Sequence, residues 1–195
     1  MPGRTMSRVA AATFTVLLLA VSASATSASS PVRFGAKLTT NTQPSNSVPA
    51  DPCPIHGQSC TRVMSQAYGR TSPKAPKDGT IAKIRLIAGE SGSLTVYIAK
   101  IKDGTKAKVV RKGPTIHYTG QPDNISGYTI ESFNVSLHVN KGEVLAFKSS
   151  STSVLRCDSG GNRQLIFQPK LDVGDPYQQA DDTDGCFMLI EAQYQ

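Results

Sequence analysis

Residues Tyr128–Lys148 read YTIESFNVSLHVNKGEVLAFK. Phe133, Val135, Leu137 and Val139 fall on every second position, with Asn134, Ser136 and His138 between them. A period of two sends one set to one face of a pleated strand and the other set to the opposite face. Asn140-Lys141-Gly142 supplies turn chemistry, and an apolar run resumes over Glu143–Lys148. The stretch predicts strand, turn, strand.

The same signals recur on both sides. Thr80–Ala88 alternates Ala82, Ile84, Leu86 and Ala88 against Lys83 and Arg85. Ser91-Gly92 is a turn, and Leu94–Lys102 (LTVYIAKIK) follows. The two runs predict a hairpin, with Lys83, Arg85, Lys100 and Lys102 sharing an outer face. Asp103-Gly104 marks the next turn. Lys106–Arg111 and Thr115–Tyr118 predict one broken strand or two short ones, because Gly113-Pro114 falls between them. Ser153–Cys157, Gln164–Gln168 and Cys186–Tyr194 complete the set. Beyond the N-terminal apolar run, no long segment carries a 3.6-residue period. Eight or nine short strands joined by Gly, Pro and Asp turns predict an all-β fold: an antiparallel sandwich of jelly-roll type over residues 53–195. A domain of that size buries enough surface to stand alone, and a monomer is expected.

The 16 glycines of the 195 residues are scattered, which excludes a collagen-like chain. After residue 25 no apolar run is long enough to cross a bilayer as a helix, so the mature chain is expected to have no transmembrane segment. Arg4 and Arg8, the apolar run Val9–Val21 and Ala23-Ser24-Ala25 have the three parts of a secretory signal peptide, assigned to residues 1–25. The chain is thus expected to be secreted. Residues 26–52 are rich in Ser, Thr, Asn and Pro and are expected to form a flexible leader.

Cys53, Cys60, Cys157 and Cys186 are an even set in an exported chain, which predicts disulfides. Pairing Cys53 with Cys60 closes the short loop CPIHGQSC, and pairing Cys157 with Cys186 staples the last strand; Cys60 bonded to Cys157 or Cys186 is the crossed alternative. Zinc held by Cys53, His56 and Cys60 is the competing reading, disfavoured by the missing paired C-x-x-C and the oxidising compartment.

Catalytic patterns are sparse. His138 alternates with apolar neighbours and belongs on an outer face. His117 lies on a short strand. Asp158-Ser159-Gly160-Gly161 resembles part of the G-D-S-G-G string of chymotrypsin-like serine proteases. Cys157 stands where that string has Gly, and no A-A-H-C string occurs. Glu90, Glu131, Glu143 and Glu191 offer carboxylates for glycoside hydrolysis, yet their spacing selects no pair. Outer strand faces are their expected place. Asp172, Asp175, Asp181, Asp182 and Asp184 crowd one loop. Calcium is conceivable near Asp181, Asp182 and Asp184, but the EF-hand register is missing, and no cofactor is expected.

Charge is the most distinctive feature. The formal net charge is +7, and loss of Arg4 and Arg8 leaves +5. Ten bases lie between Lys74 and Lys112, while six acids and no base lie from Asp172 onward. A basic face attracts anionic polymers, which outside a cell means acidic glycans, wall polymers or head groups rather than nucleic acid. Tyr118 and Tyr128, near strand ends, are candidate platforms for a sugar. Asn124-Ile125-Ser126 and Asn134-Val135-Ser136 are N-glycosylation sequons in a host that uses them.

SPKAPKDGTIAKIRLIAGESGSLTVYI, VSLHVNKGEVLAF and FMLIEAQY, with Asp78-Gly79-Thr80-Ile81 and Val139-Asn140-Lys141-Gly142-Glu143 at their strand entries, resemble a loose group of uncharacterised secreted bacterial β-sandwich proteins. The likeness covers most of residues 60–195. A weaker likeness is to carbohydrate-binding modules. The resemblance implies export and a jelly-roll-like sandwich, and it transfers no catalytic residue. The expected function is non-catalytic binding of an extracellular or cell-envelope glycan or anionic polymer. The alternatives are a secreted hydrolase and a structural or adhesive surface protein.

Overall fold

The computed structural model describes residues 30–39, 53, 58–121, 128–149 and 155–195; of residues 157–162 only the backbone is described. The candidate signal peptide, His56 and Asn124 lie outside these residues. Eleven strands occur among those described: β1 (Arg33–Gly35), β2 (Cys60–Met64), β3 (Gly79–Leu86), β4 (Gly92–Lys102), β5 (Lys106–Tyr118), β6 (Glu131–Val139), β7 (Val144–Ser149), β8 (Cys157–Phe167), β9 (Gln178–Gln179), β10 (Asp182–Met188) and β11 (Ile190–Tyr194). They form two sheets, ordered β1-β11-β3-β6 and β10-β8-β2-β7-β4-β5-β9. All pairings between these strands are antiparallel. No helix occurs among the described residues.

The sheets pack face to face. Phe34, Ile81, Ile84, Leu86, Leu137 and Ile190 of the smaller sheet meet Met64, Leu94, Val96, Ile98, Leu145 and Phe147 of the larger. Burying each such side chain is worth about 1.5–3 kcal/mol, so this layer is the main source of stability. The alternation expected for β6 holds: Phe133, Val135, Leu137 and Val139 turn inward, while Asn134, Ser136 and His138 are exposed.

Several expectations are corrected. The first two long strands are not a hairpin: β3 belongs to the smaller sheet and β4 to the larger. Period-2 patterning shows that each run is half-buried but not which strand it pairs with, and Ile87–Ser91 carries the chain from one layer to the other. Within β3, an irregularity beside Ala82 shifts the phase so that Ile81 takes the core position. The strand at Gly113-Pro114 is not broken. These two residues together oppose Val96 as a bulge inside a continuous β5. A Cβ on Gly113 would stand 2.8 Å from Leu137 Cδ2 and 3.2 Å from the Val96 carbonyl oxygen, so a side chain there must displace the Leu137 tip and crowd β4. Cys186–Tyr194 is two strands, with Leu189 crossing between the sheets.

The leader also differs. The compact unit begins at Pro31, not residue 53. Within the stretch expected to be flexible, β1 pairs with β11, and Phe34, Ala36 and Leu38 are buried. Those three residues do alternate with Gly35 and Lys37, but the run is short and is followed by a stretch rich in Ser, Thr, Asn and Pro.

Cys53 and Cys60 form the expected disulfide, with Cα atoms 5.6 Å apart, which rules out the crossed pairing and leaves no thiolate there for zinc. Cys186 is disulfide-bonded as well, on a strand pair that carries Cys157; the Cys157 side chain is outside the described set.

The larger sheet has a second apolar layer on its outer side. Val63, Tyr97, Val109, Val144, Ala146, Leu165 and Phe167 lie under a strap, residues 168–181, whose Leu171 is fully buried. The strap starts at a cis Gln168–Pro169 bond. It is pinned where the Leu171 amide donates to Thr61 Oγ1 at 2.9 Å and where β9 pairs with β5. The Asp-rich insertion is therefore a cover for a sheet face.

Candidate functional site

The smaller sheet places one carboxylate among three guanidinium groups. Glu191 on β11 lies opposite Arg85 on β3 and Gly35 on β1. Its side chain is only 1% exposed. Arg85 Nη1 donates to Glu191 Oε1 at 2.5 Å, and Arg70 Nη2 donates to Oε2 at 2.9 Å. Arg33 Nη1 stands 3.6 Å from Oε1, and the Leu38 amide donates to Oε2 at 3.3 Å. A buried carboxylate persists only with such partners. Glu191 was expected on an outer strand face; it does face outward from its sheet, but residues 36–38 and Arg70 cover it.

Above this carboxylate lies a groove of about 460 Å³, between β1 and the loop that follows β2. Its walls carry Arg33, Lys37, Arg70 and Lys74, with Thr71, Ser72, Phe34 and Pro76. No acidic side chain lines it. Local chemistry holds both walls. The Lys37 amide donates to the Tyr68 carbonyl at 2.8 Å, tying the walls together. Gly69 has a φ of +62°, and a Cβ there would meet Lys37 Cβ at 3.2 Å, so glycine lets the loop turn against the lysine stem. Ser72 Oγ accepts from the Lys74 amide, and the Ala75 amide donates to the Glu143 carbonyl at 2.7 Å.

The electrostatics are one-sided. Arg33, Arg70 and Arg85 surround Glu191, and Lys37 and Lys74 have no acidic partner among the described residues. Arg33 Nε and Arg70 Nε are buried without an acceptor. Five cations thus face one carboxylate. The arginines are held by Glu191, so the guanidinium groups are fixed before any ligand arrives, which lowers the ordering cost of binding.

The residues singled out from sequence are placed elsewhere. Lys83 is exposed and Arg85 is spent on Glu191, both on the smaller sheet. Lys100 and Lys102 lie on the larger sheet, so the four do not share a face. Lys100 Nζ is 3.7 Å from Glu143, a second buried carboxylate. Arg111 holds Glu143 through both oxygens, at 2.8 and 3.2 Å, and the Asn140 amide adds a third bond. Lys102 and Lys108 stand over the ring of Tyr177, at 6.0 and 4.9 Å from its centroid. Tyr118 is a core residue rather than a surface platform. Tyr128 is half-buried and stacked by the Arg156 guanidinium at 4.7 Å. The two tyrosines make no exposed pair.

The loop aspartates do not converge. Asp184 accepts from Arg62 at 2.8 Å and from Gln164 at 3.1 Å. Asp181 accepts from the Gln168 amide, and Asp182 from the Thr183 amide. His138 is exposed, as expected, with its Nε2 2.9 Å from Asn140 Oδ1. Under the strap, burial pushes the Tyr97 phenol above its ordinary value, with Asp172 adding to the rise and Lys170 opposing it.

The groove was missed because its cations come from three separated places: Arg33 and Lys37 from the supposed leader, Arg70 from a loop, and Lys74 from the edge of the basic window. Only the pairing of β1 with β11 gathers them. Two smaller concavities are also present. One, of about 120 Å³, is lined by hydroxyls of Ser59, Ser93, Thr95 and Thr115 beside Lys148. The other, of about 280 Å³, lies between Lys108–Val110 and Val173–Asp175. Small-molecule sites usually occupy about 300–1,000 Å³, a range that includes the basic groove alone of the three. Comparison of the chain with protein-family models, curated proteins and solved structures gave no match.

Proposed function

We propose that this chain is an exported binding protein whose ligand is an anionic polymer of the extracellular space or cell envelope, such as an acidic glycan. The observation that carries this reading is the groove between β1 and the β2–β3 loop: four cations and no acidic side chain line it, and the carboxylate that holds Arg33 and Arg70 is buried. Export is supported by the N-terminal arginine, apolar-run and small-residue pattern and by the disulfides. The reading takes the fold as a jelly roll. The orders β1-β11-β3-β6 and β2-β7-β4-β5 interleave two four-stranded sheets, with the β8–β10 pair added at one edge and β9 at the other. The likeness to secreted bacterial β-sandwich proteins points the same way.

The alternative of a carboxylate hydrolase draws less support. Glu191 and Glu143 are saturated by cations, and Glu131 accepts from the Thr119 and Gly120 amides at 2.9 and 2.8 Å.

The test is retention of the secreted protein on immobilised acidic and neutral polysaccharides at low and high salt. Screening shortens to about 3 Å at 1 M salt, so retention on the acidic polymers is expected to vanish there. Equal retention on neutral polymers, insensitive to salt, would overturn the reading.

A further inference from the structure

The groove has a geometry that selects among anions, and this inference rests on the proposed anionic-polymer reading. A carboxylate is planar and is best held by the two-pronged fork of an arginine. Here arginine nitrogens are already committed to a carboxylate of the protein. Arg70 and Arg85 donate to Glu191, and Arg33 leans toward the same carboxylate. The protein's own glutamate already fills the planar niche.

What remains for a ligand is of another kind. Lys37 and Lys74 are exposed ammonium groups, compact and freely rotating, on opposite walls of the groove. Thr71 and Ser72 add exposed hydroxyls between them. The outer edges of Arg33 and Arg70 supply positive charge from the floor, their side chains being 33% and 26% exposed. Point donors converging from several directions match a group with three terminal oxygens, not one with two. The excess charge also asks for a strong acid, ionised at every pH at which the lysines are charged. Pro76 is exposed and offers an apolar edge against which the carbon backbone of a polyol or sugar can lie.

We infer that the groove formed by Arg33, Lys37, Arg70, Thr71, Ser72 and Lys74 recognises tetrahedral oxyanion esters, phosphate or sulfate, carried on an extended polyhydroxy chain.

The experiment measures binding of the secreted protein, expressed from the full chain, to four probes: dextran phosphate (the monoester), dextran sulfate, polygalacturonate and neutral dextran. The three polyanions are compared at equal charge concentration and the same ionic strength. Affinity for dextran phosphate or dextran sulfate is expected to exceed that for polygalacturonate at least tenfold. Preference for only one of the two identifies phosphate or sulfate as the source. The exposed double variant Lys37→Glu/Lys74→Glu is expected to weaken that binding at least thirtyfold, whereas Lys83→Glu changes it less than twofold. Circular dichroism confirms that both variants are folded. Equal affinity for the uronate and the ester polymers overturns this inference and leaves the anionic-polymer reading standing. Ester binding that ignores Lys37 and Lys74 removes the groove as its site. Failure to bind any polyanion overturns both.

Discussion

Glu191 faces Arg85 directly across the β3–β11 ladder, with Arg85 Nη1 2.5 Å from Glu191 Oε1. The contact ties the last strand to the third while the same carboxylate also holds Arg70 and Arg33 from the groove. Removing one member of a buried pair strands the other charges, which costs about 3–5 kcal/mol, whereas an exposed pair is worth about 0–1 kcal/mol. Glu191→Gln is therefore expected to lower the unfolding free energy by about 3–5 kcal/mol. Urea denaturation of the two proteins measures it. A loss under about 1 kcal/mol would mean that the pair behaves as a surface contact.

High pH should loosen the protein. Burial pushes the phenols of Tyr97 and Tyr194 above their ordinary 10.0. The Lys170 ammonium, hydrogen-bonded to Asp172, is also raised above its ordinary 10.5. A raised folded-state value means that the stabilisation is fully present below the unfolded value and is lost as pH rises through the folded one. Thermal melts are thus expected to be flat up to about pH 9 and to fall above about pH 10. Phenolate absorbance should show Tyr97 and Tyr194 ionising late. Tyr97→Phe and Tyr194→Phe should each make the alkaline fall shallower; an unchanged slope in both would assign it elsewhere.

The strap over the larger sheet hangs on one side chain. Leu171 packs on Val63, Tyr97 and Phe167 with no exposure. Leu171→Ala should cost about 2–5 kcal/mol. It should also speed cleavage by protease between residues 168 and 181, because the strap then opens before the sheets do. Unfolding by denaturant and limited proteolysis, run side by side, separate the two effects. Cleavage at the unaltered rate would show that β9 and Thr61 suffice to hold it.

Gly113 is a contact point between sheets rather than a break in a strand. Gly113→Val pushes branched carbons into Leu137 and the Val96 carbonyl, and a loss of about 1–3 kcal/mol is expected. Combining it with Leu137→Ala should cost less than the two single changes added together, since the smaller side chain makes room. Strict additivity in denaturation experiments would place the cost in the β5 backbone alone.

Much of the layer structure was legible in residues such as Phe133, Val135 and Leu137, because a half-buried strand leaves a period of two in the sequence. Partner choice left no such mark. Thr80–Ala88 and Leu94–Lys102 have matching patterns and a turn between them, yet the chain changes sheets there. The short β1 has a period of two at Phe34, Ala36 and Leu38, but the run is brief, the residues after it are rich in Ser, Thr, Asn and Pro, and its role comes from β11, far along the chain. The candidate site shared that fate. A window of charge from Lys74 to Lys112 was visible, but half of its cations turned out to serve Glu143, Glu191 or Tyr177. The free ones in the groove were brought in by topology. The cysteines were read correctly at Cys53–Cys60 because a short Pro/Gly loop restricts the choice to near neighbours.

The position of β11 has a bearing on how the protein is made. It follows every other strand in the chain but sits between β1 and β3, and its Glu191 meets Leu38 across a separation of 153 residues. A polypeptide delivered from its N-terminus by a ribosome presents Arg33–Gly35 long before residues 190–194 can reach them. Until they do, the smaller sheet lacks its centre and the arginine cluster lacks its counter-charge. Closing so long a loop is slow, and contacts so distant in sequence lengthen folding times. The chain is thereby kept from completing its fold until its last strand has been made.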